Sequence, residues 1–210
     1  LPLRFLVGFP PTPEPIYVPV STTLDVQEEL KIEAWINVQS FTNATYNNIV
    51  VKCTRNGSRV EDVTRVFGLA VKPSPENENL GVLSGCVNTD VSGFNEILTA
   101  EPVVSLNTWL NVAFTRTSTG MHLYLNGEEQ AVTVIEGVKN PVGSILNGTE
   151  VYIGHDSEMT IDEVKISDLA PEVVASQIDI GDNLLIAIIV VVVVFSAAWV
   201  LRKAIQMWVI

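Results

Sequence analysis

Residues 184–201 read LLIAIIVVVVVFSAAWVL, 18 positions without a charged side chain. As a helix rising about 1.5 Å per residue, that run reaches roughly 27 Å, close to the thickness of a bilayer's hydrocarbon core. The alternative is a buried core helix, but such helices are usually shorter and keep a polar stripe. The sequence therefore predicts a transmembrane α-helix over 184–201. Asp179 and Asp182 precede it, where carboxylates suit the positive end of a helix dipole, and Arg202 and Lys203 follow at once. Lys and Arg mark the cytoplasmic side, so 1–183 are expected outside the cytoplasm and the chain is expected to be a single-pass protein with the bilayer as a partner. The tail 202–210 is too short to fold, and Trp208 suits the membrane interface.

That topology sets expectations for the outer part. Cys53 and Cys86 are the only cysteines; they are either one disulfide, as an outside location permits, or two buried thiols. Asn43, Asn56 and Asn147 each open an N-x-[ST] triplet among turn-type residues and are expected to be exposed glycosylation acceptors. The chain starts at Leu1 without a Met, which removal of a signal peptide explains and a chosen boundary explains equally.

Charge excludes one class of partner. The chain has 12 Lys and Arg against 24 Asp and Glu, a net charge of −12. No basic cluster offsets it, so a nucleic-acid partner is not expected.

Six of the eleven prolines lie in residues 1–19, which forbids a helix there and leaves an extended arm over 1–20. Leu3, Phe5, Leu6, Val7 and Phe9 make that arm too apolar for a free linker; it lies along its own domain or docks on a neighbouring protein. Residues 21–170 form the next unit, and 171–183 a juxtamembrane linker.

Throughout the 21–170 unit the pattern is short strands separated by turn residues. KIEAWINV places Ile32, Ala34, Ile36 and Val38 on one face; NNIVVKC and RVFGLAVK read likewise; 72–81 is a loop by composition. NTWLNVAFTRTSTGMHLYLNGEEQAV, 107–132, reads as a strand, a turn at STG, a strand with Met121, Leu123 and Leu125 on one face, the hairpin signal Asn126-Gly127, and a returning strand QAVTVI. No amphipathic helix precedes 184, so the unit is expected to be an all-β, two-sheet antiparallel sandwich.

IEAWINV, then 107–132, then VYIGHDSEMTIDEVKIS resemble, in order, the characteristic stretches of laminin-G-like, concanavalin A-like jelly-roll domains. Those carry a Trp in an early strand, a W-x-x-V-A strand, an L-Y-x-N-G hairpin and I-G followed by I-D-E-V. The resemblance covers 31–167 and implies a jelly roll, in a superfamily holding both lectins and glycoside hydrolases.

Trp35 and Trp109 are expected to pack in the core or at a sheet edge, with a sugar-stacking platform as the alternative. Asp162 alternates with Val164 and Ile166 and is expected to point inward, clasping backbone N–H groups of the preceding loop. A calcium site using Asp156, Glu158 or Asp162 with backbone carbonyls is the competing account, since laminin-G-like relatives sometimes carry such an ion.

Catalysis is not expected. The E-x-D-x-x-E pattern of retaining hydrolases of this fold is absent, and Glu158 and Asp162, four apart, do not form such a pair. His122 reads as solvent-facing and His155 as a loop residue, neither in a nucleophile motif. Two functions remain. One is a structural or accessory subunit of a membrane complex, surface layer, filament or virion, contacting protein partners through its arm and membrane helix. The other is a recognition module whose rim loops bind a glycan or protein, with or without calcium. PENENLG and NPVGSILNGTE contain no aromatic residue for sugar stacking, which favours the first.

Overall fold

Alternation of apolar and polar residues has a structural counterpart in β3 (Leu30–Ser40). Leu30, Ile32, Ala34, Ile36 and Val38 are all buried, while the residues between them face outward. The computed structural model describes residues 6–7, 15–19, 26, 28–41, 45–55, 63–146, 150–154 and 158–169; these all belong to one unit, Leu1–Ala170. Residues 184–201, Trp208, Asn43, Asn56, Asn147, His155 and Asp156 lie outside the described residues. Among the described residues no helix is long and apolar enough to cross a membrane.

The architecture is two antiparallel sheets. The six-stranded sheet runs β1 (Leu6–Val7), β14 (Glu158–Asp168), β3, β9 (Trp109–Thr117), β10 (Gly120–Leu125) and β11 (Glu128–Glu129). The eight-stranded sheet runs β12 (Val132–Glu136), β7 (Gly93–Thr99), β6 (Leu80–Thr89), β5 (Val63–Pro73), β4 (Asn47–Arg55), β13 (Glu150–Ile153) and β2 (Ile16–Val18), with β8 (Val104–Ser105) paired to β6. This is the expected all-β sandwich, with no helix among the described residues.

One core lies between the sheets. Ile32, Ile36, Val112, Phe114, Met121, Leu123 and Ile161 of one sheet pack with Ile49, Phe67, Leu69, Leu83, Val87 and Ile97 of the other. Their burial is the main favourable term, at roughly 1.5–3 kcal/mol for each large apolar side chain. Gly85 is required by this packing, because a β-carbon there would overlap the Phe114 ring.

Two expectations change in detail. QAVTVI leaves β10 after its first residue: Glu128 and Glu129 pair with β10, the Gln130 N–H donates to Leu123 O at 2.8 Å, and the chain then crosses to the other sheet, where Val132, Thr133 and Val134 pair with β7. A continuous return would have placed the whole segment at one sheet edge; the crossing instead closes both sheets with one stretch of chain. The expected loop 72–81 shrinks to 74–79, since β5 and β6 extend to Pro73 and Leu80.

The arm lies along its own domain where it is described. Leu6 and Val7 pair with Asp162 and Ile161 of β14, and Ile16, Tyr17 and Val18 pair with Ile153, Tyr152 and Val151 of β13. An extended, proline-bearing segment suits this place, because an edge strand needs hydrogen bonds on one side only.

Candidate functional site

The outer face of the six-stranded sheet gathers the aromatic residues singled out by the sequence. Burial of Ala34, Ile36 and Leu110 forces their neighbours Trp35 and Trp109 outward, and they are 39% and 47% exposed. Of the expected packing in the core or at a sheet edge, the core is corrected: strand alternation places both indoles on the outer face of the sheet. Trp35 is the register partner of Asn111 and Asn37 of Trp109, so the two indoles are diagonal neighbours across β3 and β9. That places their Cα atoms about 7–8 Å apart, within reach of one ligand.

Polar side chains surround them. Gln39 Nε2 donates to Asn37 Oδ1 at 3.2 Å and to Thr160 Oγ1 at 3.1 Å. Asn111 Nδ2 donates to Glu33 Oε1 at 3.4 Å, and Lys31 Nζ pairs with Glu33 Oε2 at 2.9 Å. The hydrogen bond from Lys31 holds the Glu33 carboxyl below its ordinary value against the opposing effect of burial; the charges of Lys31 and Lys165 and the Asn111 bond add to it. Glu33 therefore presents a fixed negative acceptor beside the indoles.

The Asn126-Gly127 hairpin braces this face. Both residues have positive φ, 50° and 84°, as a two-residue type I′ turn requires. Asn126 Oδ1 accepts from the Asn111 N–H at 3.0 Å, and its own N–H donates to Asn111 O at 2.7 Å. The turn is thereby tied to the strand position opposite Trp35. Further along, His122 lies on the outer face between buried Met121 and Leu123, partly covered, its two ring nitrogens within hydrogen-bond distance of Glu129 Oε1 (2.7 Å) and Thr119 Oγ1 (3.3 Å).

Asp162 lies on this same face, opposite Trp35. The inward position expected from alternation is corrected by a β-bulge between Asp162 and Lys165. Ile161 and Val164, three apart, both point into the core, so the alternation slips by one. Glu163 takes φ +50° there, and its N–H donates to Asp162 Oδ1 at 2.7 Å. Asp162 thus clasps its own bulge, while loop residues 155–157 lie outside the described residues. Glu158 accepts a hydrogen bond from Ser40. Four strand positions separate Glu158 and Asp162 by about 13 Å at Cα, while calcium holds its oxygens at about 2.3–2.6 Å, so these two carboxylates do not converge on one ion. Among the described residues no three His, Cys, Asp or Glu side chains form a metal-holding group.

The Cys53–Cys86 disulfide is also corrected. Cys53 is the register partner of Arg65 and Cys86 of Gly68, so β5 separates their strands, and both thiols are buried without a bond between them. Two strand spacings amount to about 9.5 Å, beyond the ~7 Å between Cα atoms that a disulfide tolerates.

Cys86 opens onto a polar cluster that sequence reading missed, on the outer face of the eight-stranded sheet. Glu96, almost fully buried, is the register partner of Cys86 and accepts from Ser84 Oγ at 2.7 Å and from the Tyr46 hydroxyl at 3.1 and 3.0 Å. Burial, then the Glu96 charge and hydrogen bond, push Tyr46 up to about 12 despite Arg65. The group comes from four separate stretches of chain, so no local spacing could reveal it. The one signal was Glu96 between Asn95 and Ile97, an acidic residue in a run otherwise fit for a core strand.

The laminin G model of the concanavalin A-like lectin/glucanases superfamily matches residues 15–173. No curated protein matches the sequence significantly. Among solved structures, domains LG4-5 of the mouse laminin alpha1 chain share 14% identity at a TM-score of 0.45, covering 73% of this chain and 37% of that one. Domain 4 of AbnA, an extracellular arabinanase from Geobacillus stearothermophilus, in complex with arabinotriose, shares 15% at 0.46, covering 73% and 66%. A Trypanosoma rangeli sialidase mutant displaying trans-sialidase activity shares 14% at 0.43, covering 67% and 20%. This chain thus spans about a fifth of the sialidase and little more than a third of the laminin fragment.

Proposed function

Because the chain belongs to the concanavalin A-like lectin/glucanases superfamily, we propose that it is a non-catalytic recognition domain, held outside a membrane by 184–201, that binds a glycan across the tryptophan face of its six-stranded sheet. The superfamily's description joins lectins, which bind, with glucanases, which hydrolyse. The observation that carries the reading is the pair of solvent-facing indoles, Trp35 and Trp109, in diagonal register. An exposed indole loses little on meeting the C–H face of a sugar ring and sheds water from both surfaces. Asn37, Gln39, Asn111 and Glu33 border the indoles with the donors and acceptors that hydroxyls need.

Binding rather than hydrolysis is supported by the carboxylates. Glu158 and Asp162 stand about 13 Å apart along β14, outside the roughly 5–9.5 Å that paired glycosidase carboxyls occupy. Recognition is preferred to a subunit clamped by its arm because the arm's described strands are already paired within the domain.

A second reading, a structural or accessory subunit of a larger assembly, draws on an apolar rim. Val91, Val138, Val142 and Leu146 are exposed on loops tied together by Val142 N–H to Ser92 Oγ and Leu146 N–H to Asn88 O.

Glycan-array binding by the full chain in detergent, with Trp35→Ala and Trp109→Ala beside it, tests the first reading. Each substitution is expected to weaken the strongest hits at least tenfold with little change in thermal midpoint. A wild-type chain that binds no glycan, and instead co-purifies in a stoichiometric complex from its source, establishes the second.

A further inference from the structure

Tyr46, on the face opposite the tryptophans, sits between a buried carboxylate and two cations. The Arg65 guanidinium lies over its ring, with Cζ 4.0 Å from the centroid, and Lys72 Nζ lies 4.6 Å from the same centroid. Lys72 also donates to the Tyr46 hydroxyl at 3.4 Å and stands 4.0 Å from Glu96 Oε1. Glu96 already accepts from Tyr46 and Ser84, so its oxygens are well supplied with donors.

Arg65 is different. Among the described residues its guanidinium contacts the Tyr46 ring and neither donates a hydrogen bond nor meets a carboxylate. The stack on Tyr46 holds the plane of its five N–H donors in place. A half-buried guanidinium keeps its remaining donors in water, and a stacked one is pre-organised to exchange that water for an acceptor. Arg65, Lys72 and Glu96 sum to +1 in a chain of net charge −12. The acidic remainder repels extended polyanions, whereas one local cationic spot still accepts a ligand with a single negative group.

We propose that Arg65, Tyr46 and Lys72 form a subsite for the carboxylate of a small acidic ligand, of which a uronic acid is the fitting sugar case. The planar Arg65 fork takes the two carboxylate oxygens side by side, and the Lys72 ammonium, 4.6 Å from the centroid of the same ring, adds a point charge. Tyr46 positions both cations and spends its hydroxyl hydrogen bond on Glu96, so it donates nothing to the ligand. The subsite lies on the eight-stranded sheet and is independent of the tryptophan face.

The test is calorimetric titration of the full chain in non-ionic detergent micelles with D-glucuronate, D-glucose and sodium acetate. Glucuronate is expected to bind at least tenfold more tightly than glucose, and raising NaCl from 0.15 to 1 M is expected to weaken it severalfold. Acetate equal to glucuronate makes the carboxylate the whole ligand, and acetate tenfold weaker makes the sugar ring part of it; both uphold the subsite. Arg65→Lys keeps the charge and loses the fork, so it is expected to cost tenfold or more, and Lys72→Gln less. Should Arg65→Lys fail to fold, the NMR shift of the wild-type Arg65 Nε–H on adding glucuronate, and its constancy with glucose, supplies the same answer. Equal binding of glucuronate and glucose, or an Arg65→Lys chain that binds like wild type, reduces the arrangement to a packing device and overturns the proposal.

Discussion

Cys86 illustrates how much a single side chain depends on its neighbours. Burial pushes its thiol from an ordinary 9.0 up to about 12, with Arg65 opposing and Glu96 adding. The folded state therefore keeps a proton that the unfolded chain releases above pH 9. The sign follows: the contribution is intact below pH 9 and is lost as pH rises toward 12, at roughly 1.4 kcal/mol per pH unit for a fully buried group. Tyr46, raised from 10.0 to about 12, adds loss of the same sign above pH 10. Urea midpoints measured from pH 8 to 11 are expected to fall more steeply for the wild type than for Cys86→Ala. Parallel curves would show that Cys86 titrates normally.

At the scale of elements, the arm and the hairpin hold the sandwich in opposite ways. The Asn126-Gly127 turn is local, written in two residues whose positive φ fixes the register of β10 on β11. The arm acts at long range, closing the outer edges of β13 and β14 more than a hundred residues away in sequence. Ile16 and Val18 also pack against the core, half-buried. Deleting residues 1–19 is expected to cost about 2 kcal/mol from these two side chains alone, lowering the thermal midpoint by several degrees, and to expose two sheet edges that promote aggregation. Differential scanning fluorimetry with light scattering reads both effects, and an unchanged midpoint would mean that the arm only rests on the surface.

At the scale of the whole molecule, the sequence makes a prediction about membrane attachment. The 18-residue uncharged run at 184–201 and the basic pair after it predict that the full chain stays with membranes through an alkaline carbonate wash, and that a chain ending at Asn183 is released. Release of the full chain would remove the anchor from the proposed function while leaving the glycan face testable. Net charge also acts at this scale: −12 disfavours long-range approach to other acidic surfaces.

Alternation and turn chemistry by themselves determined β3, β4, β5, β9 and β10, the Asn126-Gly127 hairpin and the inward set Ile32, Ala34, Ile36 and Val38, because each depends on residues within a few positions. For Trp35 and Trp109 two sequence signals disagreed: hydrophobicity argues for the core, whereas strand parity, fixed by the buried neighbours, argues for solvent, and parity prevailed. The bulge at Asp162 and the strand between Cys53 and Cys86 lie beyond such reasoning, since one extra residue reverses a facing and an intervening strand separates two thiols. The cluster of Tyr46, Arg65, Lys72, Ser84 and Glu96 exists only through the pairing order of β4, β5, β6 and β7, and that order is a property of the closed sandwich. Local pattern dictates what a strand is; only tertiary structure decides which strands become neighbours, and with them the chemistry of a face.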